Sequence, residues 1–154
     1  MISRTFILLF VAFVYVACNT DDDDPLTELN VNRQLWVSSQ IESYKWSEII
    51  SCECGGPLQR DIFVVNSVKN RVDFDESLLY EGYTSEDVFN ASKTVEEAFE
   101  FVQDLLNQNV ASLSVEYDPT RGFPTIISID YDTDFIDDEI LYRYTNFETP
   151  LELN

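Results

Sequence analysis

Between Thr94 and Tyr117 the spacing of apolar residues switches from helical to extended within a few positions, and that switch limits the fold more than any other stretch. Val95, Ala98, Phe99, Val102, Leu105 and Leu106 recur at helical spacing behind Thr94-Val95-Glu96-Glu97, a capping box. After Asn107 to Asn109, Ala111, Leu113, Val115 and Tyr117 alternate with Ser112, Ser114 and Glu116, which is a strand with one wet face. A helix with one apolar stripe and a strand with one apolar side bury them by packing together. The chain is therefore expected to layer helices on a sheet.

The rest of the chain fits that scheme. From Tyr44 a period of two sets Tyr44, Trp46, Ile50, Cys52 and Cys54 on one side and Lys45, Ser47, Ser51 and Glu53 on the other, with Glu48 out of pattern and "GGP" at 55 to 57 closing the run. A strand at about Asp61 to Val68 and another at Arg71 to Phe74 form a hairpin about Lys69-Asn70. Ahead of these, Val37, Ile41 and Tyr44 follow an Asn32 cap at helical spacing, with Leu35 and Trp36 widening the stripe. Residues 75 to 92 lack a clear period and are expected to be a loop, with a helical turn inside it as the alternative. The turn "DPTRGFP" leads into Ile126 to Tyr131, and a last strand runs from Ile140 to Phe147. The expected class is α+β: an antiparallel sheet with helices on one face, in the order helix, three strands, helix, three strands. The shared element order hints at duplication, with no repeat at the level of residues.

The first residues stand apart. One cation, Arg4, precedes an apolar run from Phe6 to Ala17, the pattern of a signal peptide. That run is shorter than the about 20 residues a membrane-spanning helix needs. Tyr15-Val16-Ala17-Cys18 resembles a lipobox, which implies cleavage after residue 17 and acylation of Cys18 by palmitate-type chains. Two or more such chains anchor a protein stably in a bilayer. The stretch "NTDDDDPLTELN" at 19 to 30 is charged and contains proline, so residues 18 to 31 are expected to form a lipidated tether ahead of one domain at 32 to 154. Asp21, Asp22, Asp23 and Asp24 also resemble the acidic signal that sends lipoproteins of Bacteroidota to the outer face of the outer membrane.

Charge and side-chain inventory narrow the function. A net charge of −20 disfavours nucleic acid as a partner, since both would be polyanions. The chain has no histidine, which removes Ser-His-Asp and Cys-His catalysis and the commonest ligand for zinc and copper. Once Cys18 carries lipid, Cys52 and Cys54 remain, and an oxidising exported setting favours pairing. Two strand residues at this spacing lie about 6.6 Å apart, at the long end of disulfide geometry, so a bond needs a kink. The alternatives are a thiol/disulfide redox pair, metal ligation or free core thiols.

With "YKW" at 44 to 46, "CEC" at 52 to 54 and "YDPTRGFPTIISID" at 117 to 130, the chain resembles a family of uncharacterised secreted and lipid-anchored bacterial domains. The family pattern is an early C-x-C, then a helix, then Y-D-P-x-x-G-x-P and a strand rich in Ile and Asp. An acidic ending often follows, here Asp137-Asp138-Glu139. The resemblance covers residues 32 to 147 and implies an α+β fold. The family has no assigned activity, so it implies no functional residue.

Two further features bear on binding. Asp130, Asp132 and Asp134 alternate as in the first half of an EF-hand loop, but Phe135 stands where glycine is required and Leu141 where a bidentate Glu is required. The expectation is a solvated turn, with a weak calcium site as the alternative and no other cofactor. Tyr80, Tyr83, Tyr142 and Tyr144 are candidates for an aromatic binding face, set against the commoner core role. The carboxylates show no spacing that selects a glycoside-cleaving pair. The expected function is that of a surface-anchored, non-catalytic lipoprotein domain with a protein or carbohydrate partner. The alternatives are a redox protein using Cys52 and Cys54 or a calcium module.

Overall fold

The computed structural model describes residues 24–52, 58–108, 110–134 and 138–149. Along the chain come α1 (Pro25–Ser38), β1 (Tyr44–Ser51), β2 (Gln59–Val65), β3 (Val68–Asp73), a 3-10 turn (Glu76–Leu78), α2 (Ser85–Ala91), α3 (Val95–Gln108), β4 (Ser112–Tyr117), β5 (Pro124–Asp130) and β6 (Ile140–Glu148). The strands form one antiparallel sheet in the order β3-β2-β1-β6-β5-β4. The expected α+β class, with helices packed on the sheet, is what the chain adopts.

Sequence and structure part at four places. The helix expected from an Asn32 cap starts at Pro25. Asp24 is its N-cap and accepts hydrogen bonds from Leu26 N at 3.3 Å and Thr27 N at 3.2 Å. Residues 25 to 31, expected to be tether, are thus helix. The docking face also differs: Leu29 and Trp36 are buried and Asn32 and Arg33 half-buried, whereas Val37 is exposed. Two polar residues in that stripe blur its period.

The hairpin turns at Asn66-Ser67, not Lys69-Asn70. Both residues are left-handed (φ 51° and 61°), the conformation a two-residue hairpin loop takes. The segment expected to be loop, with a helical turn as the alternative, contains the helix α2, started by a capping box between Thr84 and Asp87. It was hidden because Val88 is its sole buried side chain. Finally, the repeated order of elements is not a geometric repeat. Laying β1-β2-β3 onto β4-β5-β6 reverses the strand direction and would carry the preceding helix to the other face, yet α1 and α3 pack together.

The core lies between α1, α3 and the sheet. Val95, Ala98, Phe99, Val102 and Leu105 fill the α3 side as the capping box and spacing predicted. Below them an aromatic layer interlocks. Trp46 stacks on Tyr144 at 4.2 Å, Phe123 stacks on Phe147 at 4.6 Å, and Trp36 meets Tyr44 edge-on at 5.4 Å. Their polar tips are satisfied: Glu96 of α3 accepts from Trp36 Nε1 at 3.0 Å and Tyr44 OH at 3.1 Å. Gly122 lets the 118–124 turn lie against α1. Its φ is +79°, and a Cβ there would collide with the Asn32 carbonyl.

Candidate functional site

Glu48 broke the alternation of β1, and the structure shows why. Its side chain points inward with Trp46, beneath the link between α2 and α3, and is 0% exposed. Arg60 is its partner across the β1–β2 ladder, with Nη1 3.3 Å from Glu48 Oε2. Tyr144 OH, from β6, donates to Glu48 Oε1 at 3.3 Å. Arg60 Nη1 also donates to Ser92 Oγ at 3.4 Å, and Lys69 of β3 donates to the Ser92 carbonyl and to Glu97. Lys93 lies over the rings of Phe101 (4.5 Å) and Tyr142 (4.7 Å), and its backbone carbonyl accepts from Trp46 Nε1 at 3.1 Å.

Burial dominates the electrostatics of this cluster. It pushes the Glu48 carboxyl up, against the opposing pull of Lys93 and Arg60. Burial likewise pushes Lys93 down, and the charge of Glu48 counteracts it. Tyr142 is pushed up to about 12, first by burial and then by Glu48. Such a set of shifted groups is what an acid/base site contains. A substrate must also reach the carboxylate, and here it is sealed. Ser92 Oγ is likewise engaged, donating to the Val88 carbonyl at 2.7 Å. The arrangement ties α2, α3, β1, β2, β3 and β6 at one point, which is a structural task.

The residues singled out in the sequence do not assemble into one site. Cys18, Asp21, Asp22, Asp23 and Cys54 lie outside the described residues, as do Asp137 and Phe135. Asp24 caps α1. Cys52 sits half-buried just past β1 and has a partner. Asp130 ends β5, while Asp132 and Asp134 lie in the exposed turn beyond it, where Asp132 Oδ1 accepts from Asp134 N at 2.9 Å. Among the described residues no three Asp, Glu, Cys or His side chains are grouped to hold a metal. Tyr80 and Tyr83 are exposed, but Tyr144 is core and Tyr142 half-buried, so the four tyrosines do not share a face.

Sequence reasoning missed Arg60, Lys69, Ser92 and Lys93. The signal for Arg60 was present, because it falls on the inward side of β2 with Ile62 and Val64. Its meaning needed Glu48 opposite it.

The surface offers shallow clefts. One of about 510 Å³ is lined by Asp61, Asp73, Phe74, Asp75 and Leu78. A second, of about 180 Å³, lies between α1, α3 and β4 and is lined by Pro25, Glu28, Leu106, Leu113, Val115 and Tyr117, among others. No helix among the described residues is long and apolar enough to cross a membrane.

An antiparallel six-stranded sheet with helices packed against it is the class of domain that the described residues define. The chain belongs to DUF6174, a family of unknown function whose model matches residues 28–149, from α1 through β6. No curated protein and no solved structure matches it.

Proposed function

We propose that this chain is a lipoprotein, anchored through an acylated Cys18 and displayed on the outer face of the outer membrane, whose α+β domain binds a partner without catalysing a reaction. The observation that carries the binding reading is the burial of Glu48 with Arg60. The chain's most concentrated chemistry is spent inside the fold, while large apolar side chains such as Tyr80 (55% exposed) and Tyr83 (62% exposed) face solvent. Exposed aromatics of this kind suit a protein or carbohydrate surface.

The start of α1 sharpens the anchor. Five residues separate Cys18 from Asp24, a reach of about 20 Å when extended, so the domain stands close to the lipid. Asp21, Asp22 and Asp23 are then the export signal, with Asp24 serving the helix. Cys52 and Cys54 form a small structural disulfide at the exit of β1.

Growth of cells expressing the full chain with an alkynyl fatty acid tests the anchor. The wild type should take up label, and Cys18→Ser should not. An unlabelled wild type, or a labelled variant, would overturn it.

A further inference from the structure

The two edges of the sheet are treated differently. β3 carries Lys69 and Arg71, and α2 packs against it. Charge and cover are the usual protection of an edge strand. β4, Ser112–Tyr117, has neither Lys nor Pro, keeps a regular register from Ser112 to Glu116 with its one irregularity at the end, between Glu116 and Tyr117, and, among the described residues, pairs with β5 alone. Its outward backbone groups are a template for a further strand.

Next to that edge is the 180 Å³ groove, where Leu113, Val115 and Tyr117 meet Val102 and Leu106 of α3 and Pro25 of α1. Two carboxylates frame the place: Glu28 lines the groove, and Glu116 projects to the other face of β4. A strand added to β4 would send alternate side chains into the groove and the others past Glu116.

We propose that β4 is a docking edge for an extended segment of a partner protein in which apolar and basic residues alternate. Its backbone pairs with β4, its apolar side chains enter the groove, and its basic side chains face Glu116. Charge selects this occupant over a second copy, because two chains of net charge −20 repel, and over residues 19 to 23, which are acidic themselves. The proposal rests on the binding reading and adds the partner class to it. Its failure would leave the lipid anchor and surface display standing, since those are measured separately.

The test uses the full chain in non-ionic detergent and a fluorescent peptide, Lys-Val-Lys-Val-Lys-Val-Lys, followed by anisotropy. Saturable binding is expected. Of two peptides N-methylated at one or the other alternate set of amides, one should bind about tenfold more weakly, because only one set faces the edge. Glu116→Lys should weaken the parent peptide about tenfold, and a Glu-Val peptide should not bind. Absent binding, equal binding of both methylated forms, or binding indifferent to the charge reversal would overturn the proposal. So would a dimer in sedimentation that dissociates on Val115→Lys, which would give the edge to a second copy.

Discussion

Glu48 and Arg60 stand opposite each other across the β1–β2 ladder, and their side chains meet at 3.3 Å with the carboxylate wholly shielded from solvent. Removing one partner of such a pair strands the other. Arg60→Met is expected to cost about 3 kcal/mol of stability in urea unfolding, and Glu48→Leu combined with Arg60→Met should recover much of that loss. Equal or greater loss in the double variant would show that the pair is not the unit that matters.

The same carboxylate should leave a mark on the pH dependence. Burial raises its folded value above the ordinary 4.5, so the folded state binds more protons than the unfolded one between those two values. Stability then falls as pH rises through that window. Relative to Glu48→Gln, the wild type should gain stability as pH is lowered from neutral towards the ordinary 4.5, measured as Tm at each pH. A difference that is flat, or that grows in the opposite direction, would contradict the burial argument.

Gly122 and Gly82 separate conformational strain from collision. Both have positive φ, +79° and +91°, but a Cβ at Gly82 meets nothing within 4 Å while one at Gly122 strikes the Asn32 carbonyl of α1. Gly82→Ala should cost about 1 kcal/mol, from φ alone. Gly122→Ala should cost clearly more, in the same unfolding measurement. Similar losses would mean that α1 yields readily at this contact.

How far the sequence revealed this fold depended on whether a signal was local. α3 was legible because its stripe is apolar throughout and Thr94 and Glu97 cap it within one turn. α1 was displaced because Asp24 closes a run of four aspartates and so looked like tether, and because Asn32 and Arg33 interrupt its buried face. The turn at Asn66-Ser67 lacks the glycine that usually marks left-handed pairs. Glu48 was visible as an irregularity. What it does became clear once β2, β3, β6 and the α2–α3 link brought Arg60, Lys69, Tyr144 and Lys93 to it. Distant residues converge only through the fold, and no spacing in one strand announces them.

The four aspartates should divide by role. Asp24→Ala removes the cap of α1 and should lower Tm, whereas Asp24→Asn keeps one of the two acceptor oxygens that take Leu26 N and Thr27 N and should restore part of it. Replacing Asp21, Asp22 and Asp23 by Ser should leave Tm unchanged. A fall in Tm from that triple change would place those residues in the fold as well.

Display on the cell surface is the claim on which the function rests, and protease added to intact cells expressing the full chain tests it most directly. The wild type should be cleaved on whole cells, while the chain with Asp21, Asp22 and Asp23 replaced by Ser should be protected until the outer membrane is opened. A wild type protected on intact cells would contradict the account.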